Sequence, residues 1–262
     1  KDIKKKGLLF NTQKPEAIET AWRLWHGGRD GGISFLFPPH EASAISIPGV
    51  DDETWRKEAA FAVILGGDGT FLRAARYTFG NAIPLYGINL GRLGFLAIGS
   101  PESAEEDIKS IIAGHYTLQR RHLLKGQVWR SGRLVHELHA LNDFVISKGS
   151  IARVTDLEVK VGGETLTLFL ADGLILSTPT GSTAYALSAG GPIVPPHVPC
   201  MIVVPICAHT LYARPVILSG EDRAVVIPKG DARSLMLTQD GQLGYELLPG
   251  DELHAMLDPD IR

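Results

Sequence analysis

The sequence predicts an α/β domain followed by a β-rich one: a Rossmann-like parallel sheet over the first ~115 residues, then an antiparallel sandwich. Up to Gly114, short apolar runs alternate with segments whose apolar residues recur every three or four positions. Beyond Tyr116 the apolar period falls to two, the period of half-buried strands. A glycine-rich stretch, Gly66-Gly67-Asp68-Gly69-Thr70, joins one apolar run to one helical segment. The domains expected are residues 1–117, residues 118–235, and a C-terminal segment, 236–262, returning to the first domain.

Gly7 to Phe10 is a short apolar strand. Pro15 to His26 places Ile18, Ala21, Trp22 and Trp25 at helical spacing, with Pro15 in the first turn, where its missing N–H costs nothing. Gly27-Gly28 and Gly31-Gly32 read as a loop, Ile33 to Phe37 as a second strand, and Pro38-Pro39 to Asp52 as a mobile connection. Phe61 to Leu65 and Pro84 to Ile88 are strands on either side of a helix from Phe71 to Tyr77. Ser100-Pro101-Glu102 opens a helix with Ile108, Ile111 and Ile112 on one face, and Gly114 ends it.

In the second half, Gly126 to Arg130, Leu134 to Leu141 and Val145-Ile146 read as strands. Leu157, Val159 and Val161 alternate with polar residues up to Gly162-Gly163, and Leu166, Leu168 and Leu170 resume the alternation, which makes a hairpin. Val216 to Leu218 and Ala224 to Ile227 are further strands, and the prolines at 192, 195, 196 and 199 mark a loop.

Composition narrows the function. The chain has 262 residues, 44% hydrophobic and 21% charged, with a formal net charge of −3, the balance of a soluble globular protein and not of a nucleic-acid binder with a broad basic face. Basic clusters at Lys1, Lys4, Lys5 and Lys6 and at Arg120, Arg121 and Lys125 read as solvated segments. No apolar run approaches the ~20 residues of a membrane span, so no membrane partner is expected. Cys200 and Cys207 do not form a C-x-x-C pair, and a reducing cytoplasm is the expected location.

The chemistry concentrates in three places. G-G-D-G-T lies at a strand-to-helix turn, where glycines reach angles closed to other residues and let a phosphate approach free N–H groups and the helix N-terminus. Asp68 in that turn either holds a metal ion, takes up a proton, or merely caps the helix. The chain has no G-x-x-x-x-G-K-[ST], and Leu72 stands where a dinucleotide fingerprint needs its third glycine. The run from Ala171 to Pro192 packs hydroxyls between glycines; Gly181-Ser182-Thr183 can cap a helix through Ser188, with Tyr185 and Ser188 on one face for a base, or Tyr185 in the core. In Leu141-Asn142-Asp143, Asn142 offers donor and acceptor while ionised Asp143 accepts only, which suits a base edge and a ribose diol, or else a strand-edge turn. His136-x-x-His139 is rejected as a metal pair because residues three apart on a strand face opposite sides. No metal ligands are assigned, and Cys207 near His209 is not read as a nucleophile.

Together these segments resemble the NAD kinase family. The resemblance rests on G-G-D-G-T at 66–70, G-I-N-L-G-R-L-G-F-L at 87–96, L-N-D at 141–143, D-G-L-I-L-S-T-P-T-G-S-T-A-Y at 172–185, S-A-G-G-P at 188–192 and P-I-C-A-H-T-L-Y-A-R-P at 205–215. It spans residues 61–242 in the family's order. The family usually has P-H-T-L where this chain has Ala208-His209-Thr210-Leu211, and often Arg where Lys148 follows Ser147. The resemblance implies phosphorylation of the adenosine 2′-hydroxyl of NAD to give NADP, with ATP or polyphosphate as donor and Mg²⁺ or another divalent cation. It implies an NAD site between the two domains and a homodimer or homotetramer. Asp68 becomes the catalytic base, and Gly67, Gly69 and Thr70 line the phosphate side. Asn142 and Asp143 hold the adenosine, and Thr183, Ala184, Tyr185 and Ser188 form the adenine pocket. Asp172 binds the nicotinamide end, from a neighbouring subunit or its own, and Arg73, Thr180 and Gln242 complete the binding set. The rivals are another kinase that shares the glycine-aspartate turn and a non-catalytic NAD-binding protein.

Overall fold

The computed structural model describes residues 5–91, 94–148, 154–229 and 235–259, so Lys1, Lys4 and the Arg92-Leu93 part of the 87–96 motif lie outside the described residues. The chain divides into two compact units, Lys1–Gln119 and Arg120–Arg262.

The first unit is built on a parallel sheet of β1 (Lys5–Phe10), β2 (Phe35–Leu36), β3 (Ala59–Gly66) and β4 (Leu85–Asn89), in the order β2-β1-β3-β4. Every residue of β3 but Ala60 is buried, as a parallel strand covered on both faces requires. Helix α1 (Pro15–Asp30) starts on Pro15 and buries Ala17, Ala21 and Leu24, while Trp22 is exposed and stacks on His26. It runs through Gly27 and Gly28, which the sequence reads as a loop. Gly28 sits against the Phe35 ring, where a Cβ would come within 2.8 Å, so the glycine serves close packing. The expected second strand shrinks to two residues.

The segment expected as a mobile connection carries α2 (Pro39–Ala44) and leads into α3 (Asp52–Glu58). The carboxylate of Asp51 caps α3, accepting from Thr54 N at 2.9 Å and Thr54 Oγ1 at 2.7 Å. Trp55 is fully buried and donates through Nε1 to Leu36 O, which anchors α3 under the sheet. Helix α4 (Asp68–Thr78) follows the glycine turn. Helix α5 (Ala104–Ile112) buries Ala104 and Ile108; Ile112, its last residue, is exposed and not part of the core face. Of the N-terminal lysines, Lys5 pairs with Glu58 at 2.7 Å, but Lys6 is buried on β1 and is not a solvated residue.

The second unit contains two six-stranded antiparallel sheets. Its strands are β5 (Leu124–Arg130), β6 (Arg133–Ala140), β7 (Asp143–Lys148), β8 (Thr155–Val161), β9 (Glu164–Ala171), β10 (Gly173–Ser177), β11 (Cys200–Ile206), β12 (Val216–Ser219), β13 (Ala224–Lys229), β14 (Leu235–Gln239), β15 (Leu243–Leu247) and β16 (Asp251–Leu257). One sheet has the order β12-β11-β10-β7-β14-β15 and the other β6-β5-β16-β13-β8-β9. Phe144, Ile146, Leu174, Leu176, Met201 and Leu237 of the first sheet share a core with Val128, Val159, Phe169, Val226 and Leu253 of the second, which makes a sandwich.

In the C-terminal segment, expected to return to the first domain, β14 pairs with β7, and β16 pairs with β13 and β5, so these strands belong to the sandwich. Strands β10 and β11 lack alternation because both faces are covered. Ile175, Ile202 and Val204 form a separate core with Ala186 and Val194 on the side away from the sandwich.

Candidate active site

Strand β3 ends at Gly66 and α4 begins at Asp68, with Gly67 between them in extended backbone. None of Gly66, Gly67 and Gly69 has a positive φ, so the turn needs glycine for room and not for unusual angles. A Cβ at Gly66 would lie 2.4 Å from Thr70 Oγ1, whereas one at Gly67 would meet nothing within 4 Å. Gly67 therefore leaves open space at the mouth of the helix, and its carbonyl accepts from Thr70 N at 3.0 Å and Phe71 N at 3.1 Å.

Asp68 is not a helix cap. Its Oδ2 accepts from Phe95 N at 3.0 Å and its Oδ1 from Leu96 N at 3.2 Å. A Cβ on Gly94 would sit 2.3 Å from Asp68 Oδ1, so Gly94 is what lets this loop close on the carboxylate. The 87–96 motif thus holds Asp68 in one orientation, a role its spacing alone did not disclose. Arg73, expected in the binding set, donates through Nη2 to Phe10 O at 3.0 Å and to Glu41 Oε1 at 2.7 Å. Glu41 is 1% exposed, so the guanidinium neutralises a buried acid.

In the second unit, Asn142, Asp143, Ala184 and Tyr185 line one cavity of about 300 Å³, together with Val145, Ser147, Thr238, Asp240 and Gly241. These are four of the residues expected to hold adenosine. Tyr185 is 45% exposed, which leaves its ring available for stacking and rules out the core reading. The 171–192 run divides into β10, a 3₁₀ turn over Thr180–Thr183 and a one-turn α6 (Tyr185–Ser188), without a side-chain cap from Ser182. Its hydroxyls are mostly spent inside the protein. Ser182 Oγ donates to Pro179 O at 2.7 Å and accepts from Val194 N at 3.0 Å, and Thr178 Oγ1 donates to Leu141 O at 2.5 Å. A Cβ on Gly181 would fall 2.1 Å from Asn142 O, so that glycine allows the turn to dock on the L-N-D segment.

The remaining expected residues are dispersed. Thr180 is buried and its hydroxyl accepts from Arg121 Nη1 at 3.3 Å, so Arg121 is not simply a solvated residue. Thr183 Oγ1 donates weakly to Thr180 O, and Ser188 and Gln242 are exposed outside the cavity lining. Asp172 pairs with Lys148 Nζ at 2.7 Å, with His209 Nε2 3.9 Å away. His136 stacks on Tyr245 and His139 bonds Asp258, so the two histidines serve different neighbours.

Asp143 is electrostatically distinct. Burial, reinforced by the nearby charge of Asp240, pushes its carboxyl up to about 7. Both effects disfavour the ionised form on which the sequence reading of Asp143 as an acceptor rests. Asp240 itself escaped the sequence reading; the only available signal was the Asp-Gly pair between two apolar alternations.

Comparison with known proteins gives the family. The ATP-NAD kinase N-terminal domain profile matches residues 49–116, and the ATP-NAD kinase C-terminal domain profile matches residues 141–257. An NAD kinase of Geotalea daltonii is 38% identical over 252 residues, covering 96% of this chain and 89% of that protein. One from Geobacter metallireducens is 43% identical over 249 residues, covering 95% and 88%. Yeast NADH kinase complexed with NADH superposes with a TM-score of 0.91 at 26% identity, covering 98% of this chain and 81% of that chain. The chain therefore belongs to the ATP-NAD kinase family.

Proposed function

We propose that Asp68 is the catalytic base for phosphorylation of NAD at its adenosine 2′-hydroxyl, the reaction that yields NADP. ATP is the donor, with inorganic polyphosphate as an alternative to test. The observation that carries this reading is the Asp68 carboxylate, fixed by the amides of Phe95 and Leu96 at the mouth of α4 beside an open glycine. A ribose hydroxyl is a weak nucleophile at neutral pH; Asp68 takes its proton as the new O–P bond forms. The glycine turn and the α4 N-terminus hold phosphate oxygens, with Gly67, Gly69 and Thr70 lining that side. Asn142 and Asp143 bind the adenosine, and Tyr185 stacks on its base beside Ala184. Thr183 and Ser188 border the adenine, and Thr180 and Gln242 belong to the same binding set.

Among the described residues no three His, Cys, Asp or Glu side chains gather as a metal site. Mg²⁺ keeps several waters and binds through substrate phosphates with one or two carboxylates, so the ion would come with the phosphates of the donor. When bound, the ion neutralises charge on the transferring phosphoryl group. A cytoplasmic homodimer or homotetramer, with Asp172 at the nicotinamide end, belongs to the same proposal; its Lys148 pair then has to open or reach the ligand together with it.

The test incubates the purified protein with NAD and Mg²⁺ plus ATP or polyphosphate, and reads NADP with an NADP-specific dehydrogenase. NADP with either donor is expected. NAD binding without NADP from both donors would leave a non-catalytic binder. Asp68→Asn should still bind NAD while kcat falls by at least about 10²-fold; a loss under tenfold would remove Asp68 from the base role.

A further inference from the structure

We propose that Asp240 is a positioning residue for NAD, holding the Leu141-Asn142-Asp143 backbone so that Asn142 and Asp143 line the adenosine cavity. This rests on the assignment of Asn142 and Asp143 to adenosine. Asp240 is buried, at φ +50° in the turn between β14 and β15. Its Oδ2 accepts from Leu141 N at 3.1 Å, and its Oδ1 accepts from Asn142 N at 2.7 Å and Asp143 N at 3.2 Å. Its own N–H donates to Asp143 O at 3.0 Å. From the other side, Thr178 Oγ1 donates to Leu141 O at 2.5 Å and Thr178 N to Asn142 O at 2.9 Å.

All six backbone polar groups of the three residues are thereby occupied. No neighbouring strand does this for Leu141 and Asn142, which precede the β7 ladder. A buried carboxylate is costly unless it is hydrogen-bonded, and three N–H donors to one anion are the strong kind of bond that offsets burial. The same charge acts on Asp143. The titratable side chains among the described cavity residues are Asp143, Asp240 and Tyr185. Removing the charge of Asp240 lowers the pKa of Asp143 and lets it ionise at lower pH. The shift of that titration reports the charge of Asp240, and KM for NAD reports its positioning of the adenosine residues.

The experiment compares wild type, Asp240→Asn and Asp240→Ala, with Asn142→Ala and Asp143→Asn in parallel. Each is assayed for kcat, for KM towards NAD and ATP, and for the pH dependence of kcat/KM for NAD. Asp240→Asn keeps the shape and one acceptor oxygen, and carries the test should Asp240→Ala not fold. It is expected to raise KM for NAD about tenfold, with kcat within about threefold, and to move the acid limb to lower pH. An unchanged KM for NAD in Asp240→Asn would overturn the proposal, whether or not the acid limb moves. If Asn142→Ala and Asp143→Asn also leave KM for NAD unchanged, the adenosine assignment fails and takes the proposal with it. If those two raise KM and Asp240→Asn does not, only the positioning role fails.

Discussion

At the scale of single residues, two carboxylates have been placed in opposite circumstances. Asp68 receives two backbone N–H donors from a loop that only glycine at 94 allows to approach. Gly94→Ala should displace that carboxylate and lower kcat by roughly 10²-fold, the scale of a 1 Å misplacement, while Kd for NAD stays unchanged; steady-state kinetics beside a binding titration check this. Asp143 is largely buried near a second acid, and its pKa of about 7 lies above the ordinary carboxylate value. If ribose hydroxyls donate to its ionised form, protonation weakens binding. kcat/KM for NAD should therefore hold above pH 7 and fall about tenfold per unit below it, and Asp143→Asn should abolish that limb. A limb that survives in Asp143→Asn would assign the titration elsewhere. The identity and spacing of both acids are legible in the sequence. Their environments are not, because each is set by residues distant along the chain: Phe95 and Leu96 for Asp68, Asp240 for Asp143.

At the scale of elements, α4 is both the anion-facing helix and the carrier of Arg73. The bond from Arg73 to Glu41 ties it to α2, and the bond to Phe10 O ties it to β1. Arg73→Ala strands a carboxylate that is 1% exposed, so stability should fall by about 2–4 kcal/mol, below the full range for breaking a buried pair because the arginine itself is partly solvated. Urea unfolding checks the magnitude. Unaltered stability with a raised KM for the donor would assign Arg73 to substrate binding. The elements that the sequence predicts well are those with one buried face, such as the 155–171 hairpin. Those it misses have other reasons to exist: α3 depends on the Asp51 cap and the buried Trp55, and β10 and β11 are covered on both faces and lose alternation.

At the scale of the whole molecule, each unit has its own core. Phe144 lies at the centre of the sandwich, fully buried between the two sheets, one residue beyond Asp143. Phe144→Ala should cost about 3–5 kcal/mol, measured by denaturant unfolding. A loss below about 1 kcal/mol would mean that the core collapses onto the vacated space. By itself the sequence determined the α/β-then-β order, the strand-to-helix glycine turn with its acid, and the family, because these depend on local period and on contiguous motifs. Tertiary structure alone decided that the C-terminal strands join the sandwich, that the hydroxyls of the 177–182 run are consumed internally, and that Asp240 reaches Leu141, Asn142 and Asp143. The first and the last of these depend on groups that meet across about a hundred residues of chain, and no local pattern encodes such a meeting.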